Sequence, residues 1–425
     1  MYRTYTWAVR LGLIVLSPYF LLRSRRYWPT LADRFGYLKL PQIHKTIWIH
    51  AVSVGEVKSM ENLISRLRQE FPGRPIAVST TTPTGQQLAR DRRDIVDYSF
   101  FFPLDTPGAL NRTLDRVRPH LVIIAETEIW PNFLRLCRER RIPVMMINGR
   151  ISDKSFPRYQ RVRHWLRPVL ANYTVMGMQS EMDRRRAELI GADPKNVQVF
   201  GNLKFDVKAS SRLLDPRLES WLRICGELLI AASTMPGEDE LVLNAFQALR
   251  ATRSELKLLI APRNPDRAAA IAQMVRKRGL GVTRRSELAG STDVIILDTI
   301  GELASCFQFA SVVFMGGSLV QRGGHNILEP ARFSKPVIFG PHMENFRDIA
   351  RLFLQSNAAV QIPSAEALAP ACEKILADSE LAQTLGNNAH EVVMRNTGAT
   401  DRVVGYIRDH IFTSGRTFGA AGGTQ

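Results

Sequence analysis

Three carboxylates follow apolar segments that are typical of buried strands. Glu56 follows "KTIWIHAV", Glu126 ends "PHLVIIAE", and Glu128 lies two residues further on. Because residues two apart in an extended chain lie on one face, we expect Glu126 and Glu128 to point the same way. Such carboxylates could act as a general base and as stabilisers of developing positive charge. The structural alternative for Glu56 is stabilisation of a helix N-terminus, worth about 0.3–1 kcal/mol. His50 alone is more typical of a buried strand histidine than of a base.

A basic loop, "NGRISDKSFPRY", follows the next predicted strand along the chain. It contains Arg150, Lys154 and Arg158 together with Ser152 and Ser155. Guanidinium and ammonium groups on a loop could dock an anionic acceptor such as a phosphate. The alternative is a solvated turn with no ligand.

A glycine-rich segment, "GGSLVQRGGHNILEPARF", enters a helix-like stretch that carries Glu329. Glycines let a backbone approach a ligand closely, and free N–H groups at a helix start bind phosphate or carboxylate. We expect Glu329 three to four residues into this helix, within reach of ribose hydroxyls. Similar turns follow two other predicted strands, at Pro262-Arg263 and at Gly301-Glu302. The pattern is neither a Walker loop nor GxGxxG. Three such turns at one sheet edge favour a nucleotide-sugar site over an NAD site. Tight-turn geometry alone would also explain the glycines.

The elements that must position these residues alternate between strand and helix. This alternation predicts parallel sheets with right-handed crossovers, in which ligands bind outside the carboxyl ends of the strands. The pattern restarts after Gly201, and the polar segment Asn202–Pro216 is the predicted linker. Lys204 therefore lies at the predicted domain junction, where it could balance a developing negative charge. The predicted strands are KTIWIHAV, RPIAVSTTT, PHLVIIAE, IPVMMING and YTVMGMQS, followed by GELLIAAST, LKLLIAPR, TDVIILDTI, SVVFMGG and KPVIFGP.

Composition limits the class of protein and points to an anionic partner. The 425 residues are 45% hydrophobic and 23% charged, which excludes a disordered or fibrous chain and suggests two domains. The formal net charge of +17 implies nucleic acid, an anionic membrane or a phosphorylated substrate. The cysteines show neither disulfide nor zinc spacing, which fits a reducing compartment; they are Cys137, Cys225, Cys306 and Cys372.

The N-terminus contains a mostly apolar run from Trp7 to Leu22, followed by a cluster of arginines within Arg23–Arg34. A full membrane span needs about 20 apolar residues, and Arg10 interrupts this shorter run. It could be a short anchor, an interfacial helix, an uncleaved signal-like segment or a buried first helix. The arginines predict that the rest of the chain stays in the cytoplasm.

Seven segments, taken in order, resemble the 3-deoxy-D-manno-octulosonic acid (Kdo) transferases of Gram-negative lipopolysaccharide biosynthesis. The resemblance extends from the N-terminus to about residue 410. It implies an α/β fold of the GT-B class, with two Rossmann-like doubly wound domains facing a central cleft and an N-terminal hydrophobic anchor helix. It also implies an inverting transfer of Kdo from CMP-Kdo to lipid IV(A) on the cytoplasmic side of the inner membrane. The segments are HAVSVGE, AETEIWPN, NGRISDKS, GNLKFD, APRNP, GGSLV with GGHNILEPA, and FGPHMENF.

The resemblance assigns roles to matching residues. Glu56 resembles the catalytic proton acceptor, and Glu126 and Lys204 resemble the transition-state stabilisers. No cofactor and no metal are expected. The residues that would contact CMP are Pro262, Arg263, Ile300, Gly301, Glu302, Asn326, Ile327, Leu328 and Glu329.

The expected organisation is an anchor over residues 1–26, an acceptor-binding domain over 27–205, a CMP-Kdo-binding domain over 206–412, and a disordered tail over 413–425. The expected partners are CMP-Kdo, lipid IV(A) and the anionic inner-membrane surface. One rival is a GT-B transferase or nucleotide-sugar epimerase for another sugar; an epimerase would need no lipid and no anchor. A nucleic-acid-binding protein would explain the charge, but it predicts basic residues interleaved with exposed aromatics. We therefore expect no nucleic-acid partner.

Overall fold

The computed structural model describes residues 1–23, 25–206, 214–288 and 292–412, without the side chains of residues 16–27. The predicted tail over 413–425 and the middle of the predicted linker lie outside these residues. The chain divides into two compact units. The first contains Met1–Asp206 and the segment that begins at Thr397, and the second contains Val207–Asn396.

The first unit is built on a parallel sheet. Within the described residues this sheet has seven strands in the order β3-β2-β1-β4-β5-β6-β7. The order reverses between β1 and β4, so the ligand crevice of such a sheet is expected at the carboxyl ends of those two strands. The strands are β1 Thr46–His50, β2 Ile76–Thr80, β3 Tyr98–Phe101, β4 Pro119–Ala125, β5 Val144–Gly149, β6 Val175–Met178 and β7 Val197–Val199.

Helices connect these strands, and their starts are set by short polar caps or by proline. Ser53, Thr82 and Ser180 each accept a hydrogen bond from a backbone N–H in the first helical turn that follows. The helices are α1 Tyr2–Arg23, α2 Leu31–Arg34, α3 Val54–Glu70, α4 Pro83–Asp91, α5 Pro107–Val117, α6 Pro131–Glu139, α7 Phe156–Arg161, α8 Arg163–Leu170 and α9 Glu181–Leu189.

Both faces of the first sheet are buried, as expected for parallel strands covered by helices. Ile47 and Ile49 pack on one side of β1 with the apolar face of α3. Trp48 points to the other side, where it packs against Phe133 of α6. The strand is therefore buried throughout, and residues beyond its end are the ones that can present polar groups to a ligand.

The second unit repeats this architecture. Its described sheet is parallel with seven strands in the order β10-β11-β9-β8-β12-β13-β14, and the order reverses between β8 and β12. The strands are β8 Leu228–Thr234, β9 Lys257–Pro262, β10 Val282–Arg284, β11 Val294–Ile296, β12 Val312–Met315, β13 Val337–Phe339 and β14 Val360–Gln361. The helices are α10 Pro216–Ile224, α11 Glu238–Arg250, α12 Ala268–Arg276, α13 Leu303–Cys306, α14 Leu328–Ala331, α15 Arg347–Gln355, α16 Leu368–Ala377 and α17 Ser379–Asn396.

The chain then returns to the first unit, which differs from the expected single domain over 206–412. The returning helix, α18 Ala399–Tyr406, buries Val403 and Val404 in the same apolar cluster as Ile47. Asp206 accepts hydrogen bonds from the backbone N–H groups of Gly398 at 2.6 Å and Thr400 at 2.5 Å. The last segment therefore completes the core of the first unit.

The start of helix α1 is hydrogen-bonded to the rest of the first unit. Thr6 donates a hydrogen bond to Asn132 at 3.0 Å, and the Tyr2 hydroxyl donates to the carbonyl of Pro168. No helix among the described residues combines the length and the apolarity that are needed to cross a bilayer.

Candidate active site

Glu56 caps the helix that follows the first strand. Ser53 accepts a hydrogen bond from the Glu56 N–H, and the Glu56 carboxylate accepts one from the Val52 N–H at 2.6 Å. The Ser53 hydroxyl also donates to this carboxylate at 3.2 Å. This reciprocal arrangement is a variant of the capping box, because the carboxylate accepts from the residue before the N-cap and not from the N-cap itself. The structural alternative for Glu56 is therefore present, and it holds the carboxylate at the carboxyl end of β1.

The electrostatics of Glu56 go beyond capping. Burial, together with the negative charges of Glu126 and Glu128, raises the pKa of this carboxyl group from 4.5 to about 7. The two hydrogen bonds described above oppose this shift without cancelling it. A carboxyl group with a pKa near 7 can accept a proton at neutral pH and release it again, as a general base must.

Glu126 and Glu128 lie where β4 ends, but their geometry differs from the sequence expectation. The strand stops at Ala125, and Glu126 adopts a left-handed backbone conformation with a φ of 57°. The chain is therefore not extended between the two residues, and the expectation that they share one face does not hold. Burial raises the pKa of Glu128, and the charge of Glu126 adds to this effect.

The backbone of Glu126 is fixed to the neighbouring strand. Its N–H donates to the carbonyl of Ile147 in β5 at 2.8 Å. Left-handed conformations of residues other than glycine cost on the order of 1–3 kcal/mol and cluster at functional sites. Glu56 after β1 and Glu126 after β4 flank the point where the strand order reverses. The two carboxylates therefore lie where a sheet of this topology binds its ligand.

Lys204 is placed at the same sheet edge by amide side chains. Asn202 accepts a hydrogen bond from the Lys204 N–H at 3.0 Å, and Asn148 accepts one from the Leu203 N–H at 3.1 Å. Asn148 is the penultimate residue of β5 and has a φ of 60°, and its carbonyl accepts a hydrogen bond from the Gln179 side chain. Lys204 is thus tied to the end of the strand that neighbours Glu126.

His50 takes the structural role. Its ring is fully buried, stacks on Phe102 with 3.9 Å between ring centroids, and lies 3.0 Å from the Ser79 hydroxyl through Nδ1. Burial lowers its pKa to about 3, so the imidazole is neutral.

The basic loop is ordered by contacts at its start and exposed further on. The Ile151 N–H donates to Asp183 at 2.9 Å, and Arg186 donates to the Ile151 carbonyl at 2.6 Å. Lys154 and Arg158 are exposed. The loop therefore presents cations to solvent from a fixed backbone.

In the second unit, the turn after β9 presents one exposed cation. Pro262 is buried at the strand end, whereas Arg263 is exposed and donates its N–H to the carbonyl of Thr234 at 2.9 Å. No ion pair of Arg263 occurs within the described residues.

The turn after β11 uses its carboxylate internally. Gly301 has a φ of 97°, and Ile300 beside it is 77% exposed. Glu302 is buried and accepts a hydrogen bond from Arg285 at 2.9 Å and another from Thr299. Burial alone would raise the pKa of Glu302, but these hydrogen bonds and the Arg285 charge lower it overall.

The turn that contains Asn326–Glu329 differs from the expectation of free helical N–H groups. Asn326 itself accepts a hydrogen bond from the Leu328 N–H at 3.2 Å and donates to Glu329 at 3.2 Å. Helix α14 is only four residues long and Glu329 is its second residue, not its third or fourth. Ile327 and Leu328 are fully buried, so they can offer a ligand only their backbone.

Comparisons with known proteins identify the family. A family model described as 3-Deoxy-D-manno-octulosonic-acid transferase (kdotransferase) matches residues 29–207. A 3-deoxy-D-manno-octulosonic acid transferase of Haemophilus influenzae is 34% identical over 399 residues, covering 92% of this chain and 93% of that protein. The chain belongs to the Kdo transferase family. A transferase of the same name from Bordetella pertussis is 31% identical over 428 residues, covering 95% and 98%.

Membership of the Kdo transferase family confirms the enzyme class that the motifs predicted. The fold is shared more widely. The crystal structure of UDP-GlcNAc 2-epimerase from Neisseria meningitidis bound to UDP-GlcNAc gives a TM-score of 0.56 at 11% identity, covering 85% of this chain and 99% of that one. Together with the two parallel sheets, this likeness confirms the predicted GT-B class and shows the fold alone.

Sequence reasoning missed a buried carboxylate in this Kdo transferase. Glu238, the first residue of α11, is fully buried and accepts four backbone hydrogen bonds at 2.6–3.0 Å. The donors are the N–H groups of Met235, Gly317, Ser318 and Leu319. Its carboxylate therefore fixes the start of the glycine-rich segment. The only sequence signal was the acidic run after a strand, "GEDE".

Asn148 and Asn202 were also missed as positioning residues. Their signal was present in the motifs "NGRISDKS" and "GNLKFD", where each asparagine follows a predicted strand. Nothing in the sequence indicated that both would hold the segment that carries Lys204.

Proposed function

We propose that this protein transfers Kdo from CMP-Kdo to the lipid A precursor lipid IV(A), with inversion at the anomeric carbon and with Glu56 as the general base. Family membership supports the donor and the reaction class. The observation that carries the mechanism is the half-buried Glu56 carboxylate at the end of β1, with a pKa of about 7 and with Glu126 beside it.

The reaction is a single displacement. Glu56 removes the proton from an acceptor hydroxyl as its oxygen attacks the anomeric carbon from the face opposite the phosphate. The new carbon–oxygen bond forms while the bond to CMP breaks, and CMP leaves with the electron pair. Attack from the opposite face inverts the configuration.

Two further side chains are proposed to stabilise the transition state. The reacting sugar develops positive charge as CMP departs, and the carboxylate of Glu126 can stabilise it. Lys204 can balance the negative charge of the sugar acid or of the departing phosphate. The positions of both residues at the carboxyl ends of the first sheet support these roles.

The turns of the second unit are proposed to hold CMP. Arg263 is exposed and can bind the phosphate, and Pro262 sets its position at the end of β9. The backbones of Gly301 and of Ile327–Leu328 can approach the nucleotide, since the side chains of the latter pair point into the core. Glu329, which Asn326 holds by a hydrogen bond, can accept from ribose hydroxyls. Ile300 and Glu302 are the remaining residues that we propose to contact CMP. The Glu302 carboxylate is paired with Arg285.

The acceptor and the membrane are proposed partners of the first unit. Lipid IV(A) is a bisphosphorylated glycolipid, and the exposed cations Lys154 and Arg158 suit its phosphates. Helix α1 exposes a stripe of apolar side chains at helical spacing, which are Trp7, Leu11, Ile14 and Val15, each more than 60% exposed. Such a stripe suits a helix that lies in the membrane surface.

A second helix, α8, also exposes side chains that suit binding to a membrane. In α8, Trp165 is 60% exposed, and Arg163 and Arg167 are exposed near it. The carbonyl of Pro168 in the same helix accepts the hydrogen bond from Tyr2 of α1, so the start of α1 contacts the end of α8. We propose that α1 and α8 together bind the cytoplasmic face of the inner membrane through apolar insertion and attraction to anionic lipids.

The direct test is an in vitro reaction with purified protein, CMP-Kdo and lipid IV(A), with products read by mass spectrometry. Lipid IV(A) carrying one or more Kdo units is the expected product, and the spectrum also gives the number transferred. Binding of CMP without any transfer to lipid IV(A) would contradict the proposed acceptor. An epimerase would convert its nucleotide sugar without an acceptor, and a nucleic-acid-binding protein would bind a short duplex more tightly than CMP in calorimetric titration.

A further inference from the structure

An open cavity of about 640 Å³ lies in the second unit beside the glycine-rich turn. We call it the loop cavity, and its lining residues are Gln321, Arg322, Gly323, His342, Glu344 and Asn345. Its size is within the range of about 300–1,000 Å³ that is usual for small-molecule sites. The loop that forms one wall continues three residues later into Asn326, which belongs to the proposed CMP site. None of the six lining residues was assigned to that site.

Hydrogen bonds join the two walls of the loop cavity. The Asn345 N–H donates to the carbonyl of Gly323 at 2.9 Å, and its side-chain amide donates to the carbonyl of Arg322 at 3.0 Å. Gly323 has a φ of 83°, and a Cβ at this position would lie 2.4 Å from the Asn345 amide nitrogen. Only glycine permits this close approach, so the sequence itself maintains the junction.

The base of each wall is held as well. Ser318 is fully buried; its carbonyl accepts the His342 N–H at 3.0 Å, and its hydroxyl accepts the Gly340 N–H at 2.8 Å. Glu238 fixes the Ser318 backbone from the other side. The walls are therefore organised before a ligand arrives, which lowers the cost of binding.

The lining groups indicate the chemical class of the ligand. Arg322 is exposed at the cavity, and its guanidinium makes no ion pair or side-chain hydrogen bond within the described residues. Its planar donor fork matches a carboxylate. Glu344 lies 3.4 Å from Nδ1 of His342 and, with Gln321, offers acceptors for hydroxyl groups.

This set does not suit the other parts of a nucleotide. No tyrosine, phenylalanine or tryptophan is among the six lining residues, so the small imidazole ring of His342 is all that this lining offers a base to stack on. One cation beside several hydroxyl-binding groups instead fits a polyhydroxylated sugar that carries a carboxylate.

We propose that the loop cavity binds the sugar acid of the donor, with Arg322 holding its carboxylate and Glu344 and Gln321 holding its hydroxyls. This inference rests on the proposed function, because it takes CMP-Kdo as the donor. It adds a sugar subsite at the carboxyl ends of β12 and β13, next to the turn assigned to CMP. Specificity for a sugar acid over a neutral sugar then originates in Arg322.

The test compares CMP-Kdo with CMP, because CMP lacks the sugar. Binding of each is measured by calorimetric titration for the wild type and for Arg322→Ala, Arg322→Lys and Arg351→Ala. We expect Arg322→Ala to weaken CMP-Kdo binding by about 10–100-fold, the scale of one charge-assisted hydrogen-bonded pair, and to leave CMP binding unchanged. Arg322→Lys keeps the charge without the fork and should lie between. Arg351, an exposed residue of α15 outside the cavity, is the control for loss of one positive charge.

Two outcomes would overturn the proposal. Equal weakening of CMP and CMP-Kdo would place Arg322 at the phosphate, and unchanged binding of both would remove the loop cavity from donor recognition. The titration needs no acceptor. It therefore separates two kinds of failure. If only the proposed transfer to lipid IV(A) is wrong, CMP-Kdo binding will still depend on Arg322. If the subsite is wrong, CMP-Kdo binding will not respond to Arg322→Ala more strongly than CMP binding does.

Discussion

The two units use carboxylates that follow their strands in opposite ways. In the first unit, Glu56 after β1 is half-buried, close to two other carboxylates, and raised in pKa to about 7. In the second unit, Glu238 after β8 is buried beneath four backbone donors, and Glu302 is bound by Arg285 and Thr299. The same residue type at equivalent places in two similar sheets therefore has different chemistry.

The difference shows what makes a carboxylate reactive. Donors from the surrounding turns engage the carboxylates of Glu238 and Glu302, so these two residues act as scaffold for those turns. The two hydrogen bonds that Glu56 accepts do not offset the effects of burial and of the neighbouring negative charges, so its pKa rises. Because Glu238 and Glu302 are used internally, the exposed cations Arg263 and Arg322 of the second unit remain available to an anionic ligand. This division suits a first unit that performs proton transfer and a second unit that binds an anionic donor.

The strongest test of this comparison is Glu56→Gln. Glutamine keeps an oxygen that can accept from Val52, so the capping box should persist while the base is lost. We expect kcat to fall by about 10²–10⁴, the usual scale for a general base, with CMP binding intact. The control is Glu61→Gln in the same helix, whose carboxylate pairs with Arg92 at 3.1 Å. Near-normal turnover of Glu56→Gln would show that Glu56 only caps the helix.

The second test is Glu238→Gln, for which we expect a loss of stability. The glutamine NH₂ would face backbone N–H groups that now donate to the carboxylate, and each donor left without an acceptor costs about 1–3 kcal/mol. Chemical denaturation of the full chain measures the change in unfolding free energy. Glu240→Gln is the control, because Glu240 lies on the same helix, is largely exposed and is 3.7 Å from Arg278. Equal stability of the two variants would refute the scaffold role.

The pH profile sharpens the contrast between the two kinds of carboxylate. A base must be deprotonated to act, so kcat/KM should rise with pH, be half-maximal near the Glu56 pKa of about 7, and then level off. The rise should be roughly tenfold between about pH 6 and about pH 8, and it should be absent in Glu56→Gln. Glu302 should add no inflection there, because its pKa is lowered. A midpoint near 4.5 would mean that burial does not act on Glu56.

The smallest expected effect concerns binding to the membrane, which we assign to helices α1 and α8 of the first unit. Vesicles containing anionic lipid should bind the protein less tightly as salt increases, because salt screens the attraction between charges. Arg163→Ala should weaken binding by about fivefold, the equivalent of roughly 1 kcal/mol per basic residue. Arg351→Ala in the second unit should have no effect. Salt-insensitive binding would mean that the apolar stripe of α1 holds the protein alone.

The inner strands of both sheets could be predicted from the sequence, and the outer ones could not. All ten predicted strands occur. The four that no apolar run indicated, β3, β7, β10 and β14, are the outermost strands of the two described sheets. An edge strand pairs on one side only and is partly exposed, so it lacks a continuous apolar run. Strand β10, for example, is "VTR", and none of its residues is fully buried.

The candidate site shows a similar limit. The positions of Glu56, Glu126 and Glu128 after apolar runs were evident, because polar residues can follow a buried strand only at its end. The left-handed backbone conformation of Glu126 was not evident from the sequence, since this residue is hydrogen-bonded to a strand that follows later in the chain. The return of α18 to the first unit likewise depends on Asp206, almost two hundred residues earlier.

The sequence by itself determined the α/β class, the order of the inner strands along the chain and the placement of acids and glycines at strand ends, because these follow from local patterns of apolar and polar residues. Only the tertiary structure decided which acids are reactive. The pKa of a carboxylate depends on burial, on neighbouring charges and on the number of donors around it. Those neighbours come from other segments of the chain, such as Glu126 for Glu56 and Arg285 for Glu302.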